Sequence, residues 1–329
     1  MSFYSIRHLT KFLYRRPVSE SVMELRMHPR SDASQRCLTF SLSVSPRCRV
    51  FPYRDHMGNN VHHFDIPREH TQLVVIAESV VERQGTGMIP LYLAPDAWTE
   101  LDAIVAAGDF WEMLMPSDYA KPTPALMDLA GELDVRRRDD PLMLLHQINS
   151  QLYGRFDYVQ RSTRVDSPID EAIKSGQGVC QDFAHIMITL VRSLGIPCRY
   201  VSGYLYHSQN DHERSVADAT HAWVEAFLPI LGWVGFDPTN NLIAEERHIQ
   251  AALGRDYADV PPTRGVFRGD RSSELTVAVR VSASSEPTAF DPEMPVPEDW
   301  SILVEKAQAP PQQDVNAMLL QQQQIQQQQ

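Results

Sequence analysis

Cysteine is scarce: Cys37, Cys48, Cys180 and Cys198 are the four in 329 residues. None forms a CxxC pair, and a chain of this length is not a small disulfide-dense scaffold. The pattern reads as free thiols in a reducing compartment, with a single disulfide as the open alternative. Long apolar runs are missing too. Nothing approaches the roughly 18 residues of a membrane span, and the opening stretch MSFYSIRHLTKFLYRRP lacks the apolar segment of a signal peptide. The expectation is a cytoplasmic protein with no membrane partner. Basic residues are outnumbered, 30 against 42 acids for a net charge of −12, and no dense basic stripe of the kind nucleic acid needs is formed. Residues 1–83 carry 12 Lys and Arg against 8 acids, a mild excess that solvated strand charges explain. Residues 286–329 hold 7 acids against Lys306, half of the whole negative excess. Nucleic acid is therefore not an expected partner.

What is present is an ordinary globular composition, and the length suits one large core with an accessory domain. Residues 1–83 read as strands. Ile6, His8, Thr10 and Phe12 alternate until YRRP breaks the run; Met23, Leu25 and Met27 share a face; Leu38, Phe40, Leu42 and Val44 alternate; TQLVVIAESVV is β-branched. Short alternating runs with turns between them, Gly58–Asn59 among them, predict an antiparallel, sandwich-like N-terminal β domain. From residue 84 the period changes. AWTELDAIVAA, PALMDLAGEL and DDPLMLLHQINSQLYGRF space their apolar residues by three and four, as helices do. The last of these begins with Asp139 or Asp140 as N-cap and Pro141 at the first helical position. YVSGYLY, HAWVEAFL and GWVGFDPT read as strands, and ELTVAVRVSA as one late strand. After residue 286 prolines accumulate and the chain ends in QQQQIQQQQ, the composition of a disordered tail. The expected division is 1–83, 84–285 and 286–329.

The chemistry concentrates in GQGVCQDFAHIMITLVRSLGIPCRY, residues 176–200. Ala184, Met187, Ile188, Val191 and Leu194 form one stripe, which Ile186 and Leu190 widen, so this helix is central and buried. Gly195 ends it. Cys180 then stands at the first turn, where unpaired backbone N–H groups and the positive end of the helix dipole favour thiolate over thiol. The same N–H groups can stabilise an oxyanion, with Tyr158 or Gln160 as a side-chain donor from the preceding segment. Taken alone, a cysteine here is more often a small core residue. Its weight comes from HAWVEAFLPILGWVGFDPT. His221, Trp223 and Glu225 share one face of the first strand, and Trp233, Gly235 and Asp237 share one face of the second. A hairpin centred on residue 229 or 230 puts His221 opposite Asp237 or one diagonal step away, and this parity is conditional on register. A carboxylate there would orient the imidazole and support its charge when it takes the thiol proton. Singly, His221 reads as a core histidine and Asp237 as a turn residue before Pro238. His185, about 140° round the helix from Cys180, points elsewhere, Asp182 supports the helix start, and Cys198 is buried. His62, His63, His207 and His212 lack partners at metal-ligand spacing.

These segments together resemble the bacterial transglutaminase-like family of cysteine enzymes. RFDYVQRST matches the stretch before the nucleophile, GRDYADVPPTRGVFRG the stretch after the core, and IRHLTKFLYRRPVSESVMELRMHPR the N-terminal β region. The resemblance runs over about residues 1–283. It places the family's Cys, His and Asp on Cys180, His221 and Asp237. It implies an α+β, papain/transglutaminase-like core in which a nucleophile helix packs on an antiparallel sheet. It also implies a thioester acyl-enzyme, no cofactor, and a peptide or amide substrate, proteins included. Water as the second nucleophile gives an amidase or peptidase, and an amine gives transamidation. Hydrolysis is the expectation because it needs no second binding site. A catalytically inactive scaffold is the rival from another class. SQNDHERSVAD, 208–218, is acidic but short and lacks EF-hand spacing, so no calcium dependence is expected. The oligomeric state is open.

Overall fold

The computed structural model describes residues 2–85, 87–138, 140–208, 213–217, 219–270 and 272–287. The expected tail therefore lies, from residue 288 on, outside the described residues. In chain order the elements are β1 (Ser2–Leu25), β2 (Gln35–Ser45), β3 (Val50–Arg54), β4 (Asn60–Ile66), β5 (His70–Arg83), α1 (Ala97–Ala106), α2 (Pro124–Glu132) and α3 (Pro141–Arg155). They continue with β6 (Asp157–Tyr158), α4 (Ile169–Ser175), β7 (Gln177–Gly178), α5 (Cys180–Ser193), β8 (Cys198–Leu205), β9 (His221–Leu228) and β10 (Gly232–Asp237). The last are β11 (Leu242–Ile243), β12 (His248–Gly254), β13 (Thr263–Arg268) and β14 (Ser273–Ser284).

YRRP does not end the first strand. β1 runs through it, with Arg15, Arg16 and Pro17 exposed, and its pairing with β5 shifts register between Leu13 and Val18. Polar residues and a proline are tolerated where a strand bends into solvent and the ladder is already interrupted. The bend lets one strand serve two sheets. Its first half pairs with β5 and β14, its second with β4 and β13. The two sheets close over Tyr14, Val18, Leu25, Phe64, Leu73 and Val75. The structure also corrects the expected boundary at 285. Residues 263–268 and 273–284 belong by pairing to the N-terminal sheet: Leu275 lies opposite Phe12, Val277 opposite Thr10, Val279 opposite His8 and Val281 opposite Ile6. Alternation gave the strand, but alternation carries no information about which sheet receives it.

The second unit is a five-stranded antiparallel sheet in the order β11-β10-β9-β8-β12, covered by helices. Asp140 caps α3, its carboxylate accepting the Met143 N–H at 2.9 Å; Asp139 is outside the described residues. Every residue of α5 from Gln181 to Arg192 is buried. Ala184, Met187, Ile188 and Val191 join Ala222, Val224, Ala226 and Phe236 in one apolar cluster, so the helix lies against the sheet that carries the hairpin. Arg192, at its far end, is buried too. Its guanidinium donates to the carbonyls of Cys198, Met115 and Arg255 at 2.8–3.1 Å, fixing α5 against the strand that follows it.

The N-terminal sandwich docks on β12, the edge of this sheet. Tyr4, Ile6, Val81 and Val279 pack with Tyr204, Ile249 and Ala251. Two side-chain amides then substitute for a neighbouring strand. Gln35 accepts the Gln250 N–H at 2.8 Å and donates to the Gln250 carbonyl at 2.9 Å. Asn59 does the same for Leu253, both at 2.8 Å. An unpaired strand edge left in the interior would cost about 1–3 kcal/mol per orphaned group. These bonds remove that cost and set the position of β12 from outside the sheet.

Candidate functional site

Three local structures deliver the side chains of the site. The first is the approach to Cys180. α4 ends at Gly176 in the left-handed region (φ 70°). The chain then runs beside β6 in a short parallel pair, Asp157 with Gln177 and Tyr158 with Gly178. A Cβ on Gly178 would stand 3.0 Å from the Cβ of Asp182, so only glycine lets the first turn of α5 close without displacement. Asp182 closes that turn by accepting the Val179 N–H at 2.8 Å, and the Thr163 hydroxyl donates to the same oxygen. Cys180 follows as the first helical residue, half-buried.

The second is the hairpin. β9 and β10 pair with Gly232 opposite Leu228 and Phe236 opposite Val224, a register centred on residue 230. Ile230 and Gly232 supply the positive φ of the turn, 67° and 72°. Continued one step, the register sets Asp237 across from Trp223 and one diagonal from His221. Imidazole Nε2 of His221 lies 2.8 Å from Oδ2 of Asp237. Cys180 is near enough to His221 to help raise its pKa, and with Nε2 engaged by the carboxylate, Nδ1 is the ring nitrogen that Asp237 does not hold. Carboxylate and imidazole thus form a buried hydrogen-bonded pair, with the half-buried Cys180 beside the ring.

The third is the turn after β10. Oδ1 of Asp237 accepts the backbone N–H groups of Thr239 and Asn240 at 3.0 and 3.3 Å. Asp237 therefore organises its own turn as well as facing His221. Asn240 Nδ2 donates to Oδ2 at 2.8 Å and to Ser215 Oγ at 3.0 Å, while its Oδ1 accepts the N–H groups of Arg214 and Ser215. The Arg214 guanidinium donates to the carbonyls of Tyr153 and Phe156. The segment 213–217 is thereby tied to both the site and α3.

Electrostatics follow from this burial. For His221, burial alone would depress the pKa, but the charge and hydrogen bond of Asp237, and then the nearby Cys180, raise it. For Asp237, burial opposes ionisation, yet His221 and then His248 hold the carboxyl far below the usual range. Both directions favour a charged pair. The sign for stability is opposite at the two ends of the pH scale. The Asp237 contribution is present above the unfolded carboxyl value of about 3.9 and is lost as pH falls. The His221 contribution is complete below about 6.5 and is lost as pH rises through the raised folded value. Unfolding midpoints measured across pH should therefore decline from neutral into alkaline solution, and His221→Phe should flatten that alkaline decline.

The remaining candidates separate cleanly. Tyr158 stands near the thiol: its pKa is pushed up to about 12, first by burial and then by the proximity of Cys180. Gln160 is exposed. His185 faces away, buried, with Nε2 accepting the Tyr257 N–H at 3.2 Å and its ring stacked on Tyr119. Burial holds it neutral, its pKa lowered to about 4. Cys198 is fully enclosed, its thiol pushed up to about 12 by burial. His207 pairs with Glu213 at 3.2 Å; His212 is outside the described residues. Trp223 is buried, its ring stacked on His221 at 6.1 Å.

Sequence reasoning missed His248. It lies 11 residues after Asp237, on β12, with Nε2 3.1 Å from the same Oδ2 that receives His221. The donor atoms of His221, Asp237 and His248 lie within 4.8 Å of one another, and both imidazoles are bonded to the one carboxylate oxygen between them. The only sequence signal was a histidine opening HIQAALG, a run too short for its periodicity to name a strand.

Comparison with known proteins gives the same frame. The description "bacterial transglutaminase-like N-terminal region" matches residues 4–82, and "transglutaminase-like superfamily" matches residues 129–238. An uncharacterized protein of Mycobacterium leprae is 34% identical over 277 residues, covering 84% of this chain and 96% of that one. A protein-glutamine gamma-glutamyltransferase of Pseudomonas aeruginosa is 33% identical over 135 residues, 38% of this chain and 20% of that one. The crystal structure of a candidate cysteine protease from Cytophaga hutchinsonii superposes with a TM-score of 0.68 over 88% of this chain and 93% of that one. At 22% identity, that likeness concerns the fold.

Proposed function

Because the chain belongs to the transglutaminase-like superfamily, we propose that it is a cysteine amidase or peptidase in which Cys180, His221 and Asp237 act as one catalytic unit. The observation that carries this reading is the buried His221–Asp237 hydrogen bond, with Cys180 at the start of α5 beside the imidazole. His221 takes the thiol proton, and Asp237 stabilises the imidazolium that results. The thiolate sulfur attacks the amide carbon, and the carbonyl oxygen becomes an oxyanion beside the N-terminal N–H groups of α5. As the C–N bond breaks, the imidazolium gives its proton to the leaving amine and a thioester remains on Cys180. Water, deprotonated by the now neutral His221, attacks the thioester. The acid departs, and the thiol is restored as the thioester C–S bond breaks.

Transamidation is the second reading, favoured by the similarity to a protein named as a glutamyltransferase. Both outcomes share the thioester and differ in what resolves it. The test is turnover of a peptide library in the presence of a labelled primary amine. Release of free acid with no label incorporated is the expected result. Incorporation of label in place of acid would move the assignment to cross-linking. A Cys180→Ala variant as active as the wild type would remove both.

A further inference from the structure

We propose that His248 is a positioning residue of this site: a neutral imidazole that donates its Nε2–H to Asp237 and thereby limits how strongly that carboxylate holds the proton of His221. The inference rests on the reading of Cys180 and His221 as a thiolate–imidazolium pair.

The geometry leaves little freedom. Oδ2 of Asp237 is approached by Nε2 of His221 at 2.8 Å, Nε2 of His248 at 3.1 Å and Nδ2 of Asn240 at 2.8 Å. A carboxylate oxygen only accepts, so all three nitrogens must bring a hydrogen, and His248 must be the Nε2–H tautomer. The ring has no room to turn away. It is buried, edge-on to Trp223 at 5.1 Å, and Trp223 in turn stacks on His221. Asp237 on β10, His221 on β9 and Arg247 beside it in the chain are the charged groups that face it. Arg247 is itself paired with Glu213, which also holds His207. Burial, His221 and Arg247 all disfavour a second positive charge here, and they outweigh the pull of Asp237. His248 is therefore a donor without being a rival cation.

A donor that stays neutral has a defined effect. Each hydrogen bond to the ionised carboxylate stabilises that form and lowers its remaining attraction for a proton. Without the His248 N–H, Oδ2 would pull harder on His221, and the imidazolium would keep its proton to higher pH. That is unhelpful for an acid that must release a proton to a leaving amine. Gln35 and Asn59 hold Gln250 and Leu253 of β12, so the strand that presents His248 is positioned by a different domain from the one carrying Cys180.

The test follows Cys180 carboxamidomethylation by iodoacetamide against pH, in the full-length chain, with the upper inflection of the profile reporting loss of the His221 proton. His248→Met removes the donor at similar volume, and His248→Gln restores an N–H on a side chain of comparable reach. The expected result is an upper inflection raised by about half a pH unit or more in the Met variant and returned toward wild type in the Gln variant. An inflection unmoved by His248→Met, or moved equally by Met and Gln, would overturn the assignment. Should the Met variant fail to fold, His248→Asn, whose amide is too short to reach Oδ2, replaces it with the same two outcomes. His221→Ala separates this inference from its premise. If that variant leaves the whole alkylation profile unchanged, the thiolate–imidazolium reading itself fails. If it changes the profile while His248→Met does not, only the role of His248 is lost.

Discussion

Cys180→Ala should bring amide hydrolysis down to background, a loss on the order of 10⁴-fold or more. No other sulfur can take over. Cys198 is enclosed, with its thiol pushed up to about 12. Cys37 and Cys48 lie in the N-terminal sandwich, and burial pushes each up to about 11. Cys180→Ser should be nearly as inactive as the alanine variant. A serine hydroxyl must lose its proton to a neutral base during attack, and His221 is held toward its charged form by Asp237. The arrangement suits a group that surrenders its proton before the substrate arrives, as a thiol does and a hydroxyl does not. Initial rates on a cleaved library peptide measure this. Serine activity within about tenfold of wild type would mean that His221 works as a neutral base and that the charged pair is misassigned.

Asp237→Asn should damage stability and activity together. The carboxylate is fully buried and accepts hydrogen bonds from His221, His248, the Asn240 amide and two backbone N–H groups. An asparagine offers one acceptor oxygen and turns an NH₂ toward donors, so at least one buried N–H loses its partner whichever way the amide faces. Breaking a buried charged pair from one side costs on the order of 3–5 kcal/mol. For a chain of this size, that lowers the unfolding midpoint by roughly 10 °C. Turnover should fall by about 10² or more, because the imidazole loses both its orientation and the charge that supports its protonated form. Calorimetry and initial rates on the same preparation check the pair of effects. A variant that loses activity with an unchanged midpoint would contradict the structural half of the argument.

The sequence made part of this visible and hid the rest for physical reasons. A broad apolar stripe behind Cys180 identified α5 as central, since only a helix enclosed by its neighbours can be apolar over so much of its circumference. Hairpin parity related His221 to Asp237, because side-chain alternation is fixed once the turn is centred, and Ile230 and Gly232 fix it at residue 230. His248 was not legible. Its contact with Asp237 depends on β12 lying beside β8, with β9 and β8 between it and β10, and no local pattern encodes sheet order. The membership of β13 and β14 in the N-terminal sheet was hidden for the same reason. Nor could the edge-capping by Gln35, which opens β2, and by Asn59, in a turn, be read, since a single polar residue carries no sign of the strand it will meet. No helix among the described residues is long and apolar enough to cross a membrane, in line with the absence of long apolar runs.

Cooperation between sulfur and imidazole is the claim on which the chemistry depends, and the alkylation rate of Cys180 near pH 6 measures it without any knowledge of the substrate. On the proposed proton transfer to His221, the wild-type thiol should react there faster than in His221→Ala by roughly 10-fold or more, and the variant should gain rate steadily as pH rises. Equal rates for the two proteins across that range would show that the ring does not serve the sulfur, and the proposed mechanism would be contradicted.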